Sequence, residues 1–321
     1  MSLFRVVRVF GGILLAGGIL ILLFVAYQLW GTGIITRLHQ DQLRTQFNHE
    51  LAVAHARAHK THPTTGSPTS TTTTNPDNDT IGPQEPVPGY APAEGQPIGT
   101  INIPKLGINF VVVQGTAASD LSEGPGHYVG TPLPGQAGNA AIAGHRTTYQ
   151  APFYNLNEMQ LGDPIYVTTL QGRFHYQVIS NQVVSPSDVS VLAATPNPEL
   201  TLTTCNPRFS DTQRLVVQAE LVTPPAPSPV LPTHATKTKL NKSKKNVLAL
   251  SGGLAGEDGS SWGAVAWGAG CAALAAGAWF LIRRIDRRAF RVTLYTTATI
   301  GFLVLLFFFF VNLSPLLPAS F

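Results

Sequence analysis

Val9–Trp30 runs 22 residues without a charged side chain. As a helix at 1.5 Å per residue it covers about 33 Å, enough to cross a hydrocarbon core of about 30 Å. Two more such runs lie near the other end, Trp262–Ile282 and Val292–Val311, the second containing Phe307–Phe310. Three runs of this kind oblige the chain to fold partly in lipid. The charge content agrees: 12% of the 321 residues are charged, against about 25% in an ordinary soluble domain. A wholly soluble cytosolic enzyme is thereby excluded.

The placement of the charges predicts a topology. Arg5 and Arg8 precede the first span, and the loop joining the last two, residues 283–291, holds five arginines in nine residues. Positive charge is retained on the cytoplasmic side. The N-terminus and the arginine loop are therefore expected inside, with residues 31–261 and the tail 312–321 outside. A cleaved signal peptide would have a shorter apolar core and a small-residue cleavage site. The first span ends instead at Tyr27, Leu29 and Trp30, an interfacial aromatic edge, and reads as an uncleaved anchor. A lysine run from Lys237 to Lys245 falls outside, where a long translocated segment carries charge across regardless of the rule.

The net charge of +4 suggests a nucleic-acid binder only until it is mapped. Ile98–Thr223 contains five basic and eight acidic residues, so the segment most able to fold in water is net negative and presents no basic face. The linkers on either side have a different composition. Thr36–Lys60 has helical composition with scattered histidines, read as a solvated juxtamembrane helix and not as a metal site. Thr61–Pro97 is rich in Thr, Pro, Asn and Gly and cannot build a core. As a random coil it would span roughly 30–35 Å. A Pro/Lys-rich linker occupies 224–261.

The remaining 126 residues, 98–223, have the size of one domain. Short β-branched runs broken by Gly and Pro predict strands at Gly99–Ile103, Asn109–Gln114, Ala140–Ala143, Ile165–Thr169, Phe174–Val184, Leu200–Thr204 and Leu215–Val222. Helical turns are expected only at Pro152–Met159 and Ser187–Ala193. The fold class is all-β, a barrel or a sandwich.

Cys205 ends a strand, Thr201-Leu-Thr-Thr-Cys205, and Arg214 opens the next one nine residues later. A hairpin would set them on neighbouring strands. Alternation puts Leu215, Val217, Ala219 and Leu221 on one face and Arg214 with Val216 on the other. An arginine there can favour a thiolate or hold a developing oxyanion. Cys271 lies inside an apolar span, so Cys205 has no partner in its domain and no disulfide framework exists. His145 follows the small-residue strand and Gly144, where an imidazole could move the proton of a thiol whose ordinary pKa is about 8.5. Spacing alone leaves a second reading open, a core cysteine and a surface histidine. His127 and His175 are alternatives for the base.

Thr201–Cys205 with Arg214, preceded by Gly144-His145-Arg146, resembles the sortases, membrane-anchored cysteine transpeptidases of Gram-positive bacteria. Pro125-Gly-His-Tyr128 and His145-Arg-Thr-Thr-Tyr149-Gln-Ala-Pro-Phe153 look like the class E members of actinobacteria. The resemblance implies an eight-stranded β-barrel, here flanked by one N-terminal and two C-terminal transmembrane helices. It implies Cys205 as nucleophile, His145 as acid and base, and Arg214 holding substrate and oxyanion. Thr204 would add a hydrogen bond from its backbone or hydroxyl. Tyr128 would read the substrate, although a packing aromatic is an equal reading of it.

The implied substrates are secreted proteins with a Leu-Ala-x-Thr-Gly or Leu-Pro-x-Thr-Gly sorting signal, joined to an amine of a peptidoglycan precursor. Neither cofactor nor metal is implied. Two other readings stay open, a pilin-polymerising enzyme and a silent membrane scaffold. Class E members usually have a single anchor, so the two C-terminal spans depart from the pattern. The Asp-Pro-aromatic lid motif of pilus-building members is absent from Thr61–Pro97.

Overall fold

The computed structural model describes residues 3–61, 92–227, 262–284 and 288–313. Most of the Thr/Pro-rich stalk, the linker from 228 with its lysine run, the middle of the arginine loop and the tail after 313 lie outside these residues. The chain divides into two compact units, one of apolar helices and one built around a barrel.

The helical unit contains α1 (Leu3–Ala26) near one end of the chain and two helices near the other. All three have the length and apolarity to cross a membrane. Their surfaces stay apolar, with Leu15, Leu22 and Val265 exposed. That is the pattern of helices whose outer faces meet lipid. A π-helical turn at Tyr27–Gly31 leaves Tyr27 buried edge-on to Phe307, with ring centroids 5.5 Å apart.

The barrel unit opens with the helix α2 (Thr32–Thr61). Eight strands follow in the chain: β1 (Pro97–Ile103), β2 (Ile108–Gln114), β3 (Gly126–His127), β4 (Asn139–Ala143), β5 (Pro164–Thr169), β6 (Gly172–Val184), β7 (Glu199–Asn206) and β8 (Gln213–Leu221). They close in the order β1-β2-β3-β4-β7-β8-β6-β5. The pairs β2–β3 and β4–β7 are parallel and the other pairs antiparallel. A short helix α3 (Ala118–Glu123) links β2 to β3. The two apolar helices after the barrel are α4 (Trp262–Arg284) and α5 (Arg288–Leu313). Gly263 on α4 faces the Asn312 side chain on α5 so closely that a Cβ would collide with it, a small-residue contact of the kind that lets membrane helices approach.

The barrel core follows from period-two alternation. Ala140 and Ile142, Leu200 and Leu202, and Leu215, Val217 and Ala219 point inward with Ile101, Val112 and Phe174. The intervening residues Ala141, Ala143, Cys205 and Val216 form a second cluster with Leu121, Tyr128, Val191 and Leu192. The sheet is therefore covered on both faces here, and the outer cover comes from α3 and the 3-10 turn Val189–Leu192.

The seven expected strands are present, each within two residues of its expected ends. The eighth, β3, is two residues long, too short to leave a periodic signal. Helix is also found at α3, where none was expected. The expected turn at 152–159 is reduced to the 3-10 segment Leu156–Glu158. Ala226 in the Pro-rich segment is buried, its N–H donated to the Gly135 carbonyl at 2.7 Å, so the chain stays on the barrel several residues past 223.

α2 is not simply solvated. Phe47 is 1% exposed, and Leu43 packs on Val111 and Val113, the outward residues of β2. Because β3 pairs only with Val113 and Gln114, the rest of that edge of β2 lacks a strand partner. Gln40 fills part of the gap. Its Oε1 accepts from Val111 N–H at 2.7 Å, and its Nε2 donates to the carbonyls of Val111 (3.0 Å) and Glu123 (2.9 Å). Thr36 donates to the Ser122 carbonyl at 2.9 Å. Replacing Gln40 by Ala leaves three buried main-chain groups without partners, each costing about 1–3 kcal/mol and not additively. We expect Gln40→Ala to destabilise the barrel by about 3 kcal/mol in urea unfolding monitored by the barrel's near-UV circular dichroism. A loss below about 0.5 kcal/mol would show that α2 is dispensable to the fold.

Candidate active site

Three adjacent strands converge at one end of the barrel. In the parallel β4–β7 pair, Ala143 faces Thr203, so two residues further along each chain His145 comes level with Cys205. In the antiparallel β7–β8 pair, Cys205 is directly opposite Arg214, which puts their side chains on the same face. Strands in a sheet lie about 4.8 Å apart, so the cysteine stands between an imidazole and a guanidinium. All three are buried, at 8%, 7% and 2% exposure for Cys205, His145 and Arg214.

Local sequence explains how His145 is aimed. Gly144 faces inward against Phe153, where a Cβ would lie 2.6 Å from the ring, and alternation then turns His145 outward. Phe153 N–H returns to the His145 carbonyl at 3.1 Å. Between them Tyr149, Gln150 and Ala151 all have positive φ (52°, 62° and 45°). Such a left-handed turn costs roughly 1–2 kcal/mol per residue, and this strain sits beside the site. The Tyr149 ring packs on the imidazole, centroids 4.8 Å apart. Nε2 of His145 is buried and has no hydrogen-bond partner among the described residues, an exception that calls for a chemical reason.

Burial dominates the electrostatics. It holds His145 well below the usual imidazole range, at about 4, and pushes the Cys205 thiol up. Arg214 opposes the rise of the thiol, Asp211 adds to it, and Arg146 opposes it. The resting site is therefore a neutral thiol beside a neutral imidazole. Arg214 Nη1 donates to the carbonyls of Asp211 (2.7 Å) and Gln213 (3.0 Å), which anchors it to the β7–β8 loop.

Tyr128 packs in the same cluster as Cys205, its hydroxyl 3.1 Å from Thr203 Oγ1. Burial raises its pKa to about 12, so it stays a neutral phenol. Thr204 alternates to the other face from Cys205, and its hydroxyl donates to the Gly144 carbonyl at 2.7 Å. It ties β7 to β4, and its hydroxyl is not presented beside the thiol.

The alternative histidines are set apart. His127 is 1% exposed with Nδ1 at Gln114 and Nε2 at the Pro132 carbonyl, both 2.8 Å, so its ring is structurally engaged. His175 stacks on Tyr166. Val184, not His175, is the β6 residue opposite Arg214, and nine residues of strand separate the two, about 30 Å.

One member of the site escaped the sequence reading. Arg146, quoted there only as part of a motif, is 5% exposed and reaches the Cys205 carbonyl. A charged residue directly after a candidate histidine was the available signal.

The buried histidines give the fold a pH dependence. His127 and His145 titrate near 4 when folded, against an unperturbed 6.5. The unfolded chain binds more protons in that interval, so the stabilisation is complete above about 6.5 and is lost as pH falls toward 4. At 1.36 kcal/mol per pKa unit, each histidine is expected to withdraw on the order of 3 kcal/mol by pH 4. Urea unfolding at pH 7 and pH 4.5 checks this, and His127→Asn or His145→Asn should flatten the difference. Equal slopes in wild type and both variants would contradict it.

The sortase-domain family model matches residues 101–222. Among curated proteins the chain is 32% identical to Sortase SrtE1 of Streptomyces coelicolor over 67% of this chain and 57% of that protein. It is 34% identical to Sortase D of Bacillus subtilis over 37% of this chain and 59% of that protein. The chain thus spans less than two thirds of the length of these relatives. Among solved structures, sortase E1 from Streptomyces coelicolor with a tripeptide in its active site is 36% identical, covering 41% of this chain and 91% of that one with a TM-score of 0.39. The family-model match and the curated relatives show a sortase domain at residues 101–222 of this chain.

Proposed function

We propose that the chain is a membrane-anchored cysteine transpeptidase that cleaves a Leu-Ala-x-Thr-Gly or Leu-Pro-x-Thr-Gly signal between Thr and Gly. The acyl group then passes to an amine of a cell-wall precursor. The reading rests chiefly on one observation: Cys205 lies opposite Arg214 on β8 and level with His145 beyond β4.

The chemistry follows from that order. The thiol starts protonated, so attack requires a base, and the neutral His145 can take the proton as Sγ bonds to the Thr carbonyl carbon. The carbonyl oxygen becomes an oxyanion, and the Arg214 charge stabilises it by about 3 kcal/mol if it matches a single oxyanion-hole donor. The C–N bond to Gly breaks as His145 returns the proton to the departing amine, leaving a thioester. An incoming amine attacks that carbonyl, gives its proton to His145 and expels the Cys205 thiolate, which His145 reprotonates. Tyr128 is assigned to the wall of the substrate groove near the nucleophile. The three apolar helices hold the barrel at the outer face of the membrane, with the N-terminus and arginine loop inside.

The test incubates the full chain in detergent with a Leu-Ala-x-Thr-Gly peptide and an amine, following thioacyl adduct and transfer product by mass spectrometry. Wild type should form both. Cys205→Ala should form neither, and His145→Ala and Arg214→Ala should lose at least about 100-fold in kcat/KM. Full transfer by Cys205→Ala would overturn the mechanism, and a folded wild type that forms no adduct would leave the barrel as a binding scaffold. Topology is checked separately. A reporter after Ile282 should read cytoplasmic and one at the C-terminus external, and the opposite C-terminal result would contradict three spans.

A further inference from the structure

We propose that Arg146 is a positioning residue for Cys205, a buried cation that fixes the main chain of the nucleophile to the loop carrying His145. The proposal rests on reading Cys205 as the nucleophile. Its own support is the set of contacts made by one guanidinium. Nη1 donates to the Cys205 carbonyl at 3.0 Å and to Asn206 Oδ1 at 2.6 Å. Nη2 donates to Asn157 Oδ1 at 2.9 Å, and Nε to the Tyr154 carbonyl at 3.4 Å. A single side chain thereby joins the end of β7 to the 154–157 loop, starting from the residue next to His145.

Each of these acceptors is neutral. Among the described residues the ion pairs are His39–Glu123 and Lys105–Asp163, and neither involves Arg146. A buried arginine normally meets a carboxylate that cancels its charge. Here the charge is not cancelled, and it lies against the carbonyl of the residue whose thiol must ionise. Arg208 adds a second guanidinium to the same loop, 3.4 Å from the Tyr154 carbonyl and 3.0 Å from Asn155 Oδ1. It too is bound to neutral acceptors there. Holding the Cys205 carbonyl fixes the backbone torsions that aim Sγ, and a misplacement of about 1 Å at a reacting atom costs on the order of 100-fold in rate. Lysine could keep the charge but not the fork that reaches four acceptors, so the two contributions are separable.

The groups around the thiol are Arg214 on β8, Asp211 in the β7–β8 loop, Tyr128 beyond β3, and His145 and Arg146 beyond β4. Substituting Arg146 leaves the other four in place.

The experiment uses the full chain in detergent carrying Cys271→Ala, so that alkylation reports Cys205 alone. It compares Arg146→Gln and Arg146→Lys with the parent. The pH midpoint of iodoacetamide alkylation is read by intact mass, alongside kcat and KM for peptide transfer and the melting temperature. Arg146→Gln should raise the midpoint by about one pH unit. It should also lower kcat about tenfold or more while KM stays within about threefold. Arg146→Lys should return the midpoint to within about 0.3 of the parent while kcat stays low. A folded Arg146→Gln with unchanged midpoint and kcat would overturn the proposal. If Arg146→Gln does not melt cooperatively, Asn157→Ala decides. Removing that acceptor should lower kcat with the midpoint unmoved, and an unchanged kcat overturns the proposal. The alkylation reads the Cys205 thiol whether or not transfer occurs. Transfer surviving in Cys205→Ala would refute the nucleophile, which is distinct from Arg146 failing to move the midpoint.

Discussion

The two-residue repeat of β4, β7 and β8 is the constraint on which the rest of the molecule depends. On one face these strands supply Ile142, Leu202 and Val217 to the barrel core. On the other face the same repeat lines up Ala143, Cys205 and Val216, continuing to His145 and Arg214 at the strand ends. A register slip of one residue would turn the cysteine into the core and expose the aliphatic residues. Because the inner face is tightly buried, the hydrophobic effect that closes the barrel also fixes the direction in which the thiol points.

Covering the outer face creates the electrostatic character of the site. α3, Tyr128 and the 3-10 turn before β7 exclude water from Cys205, which keeps thiol and imidazole neutral at rest. The arginines at 214 and 146 counter that burial from two sides. Such a site is poised rather than precharged. Under the proposed mechanism, ionisation of the thiol becomes part of the reaction with substrate, so that a reactive thiolate is not permanently exposed.

The same dependence on tertiary cover runs outward to α2. The edge of β2 is left open where β3 is short, and Gln40 closes it with three hydrogen bonds to main-chain groups. That helix follows the first apolar helix in sequence, so its docking makes this segment a structural part of the barrel unit. Sequence patterning did not reveal this, because two of the docking residues, Thr36 and Gln40, are polar. A helix that docks partly by completing hydrogen bonds leaves only a short apolar stripe, here Leu43 and Phe47, too short to read.

What the sequence determined by itself is whatever depends on local composition and short periods. The three runs apolar enough to cross a membrane are legible from their length and lack of charge. The seven long strands are set by alternation between Gly and Pro breaks, and the Cys205–Arg214 pairing by a hairpin only nine residues around. The resemblance carried by Cys205, His145 and Arg214 added the barrel itself. Tertiary structure decided what depends on distant partners. It set β4 parallel to β7, which brings His145 level with Cys205 across some sixty residues of chain. It separated His145 from His127 and His175, turned the Thr204 hydroxyl to Gly144, and bent Arg146 onto the Cys205 carbonyl. Such contacts leave no local trace, because the energy that fixes them comes from long-range strand pairing and the desolvation it enforces.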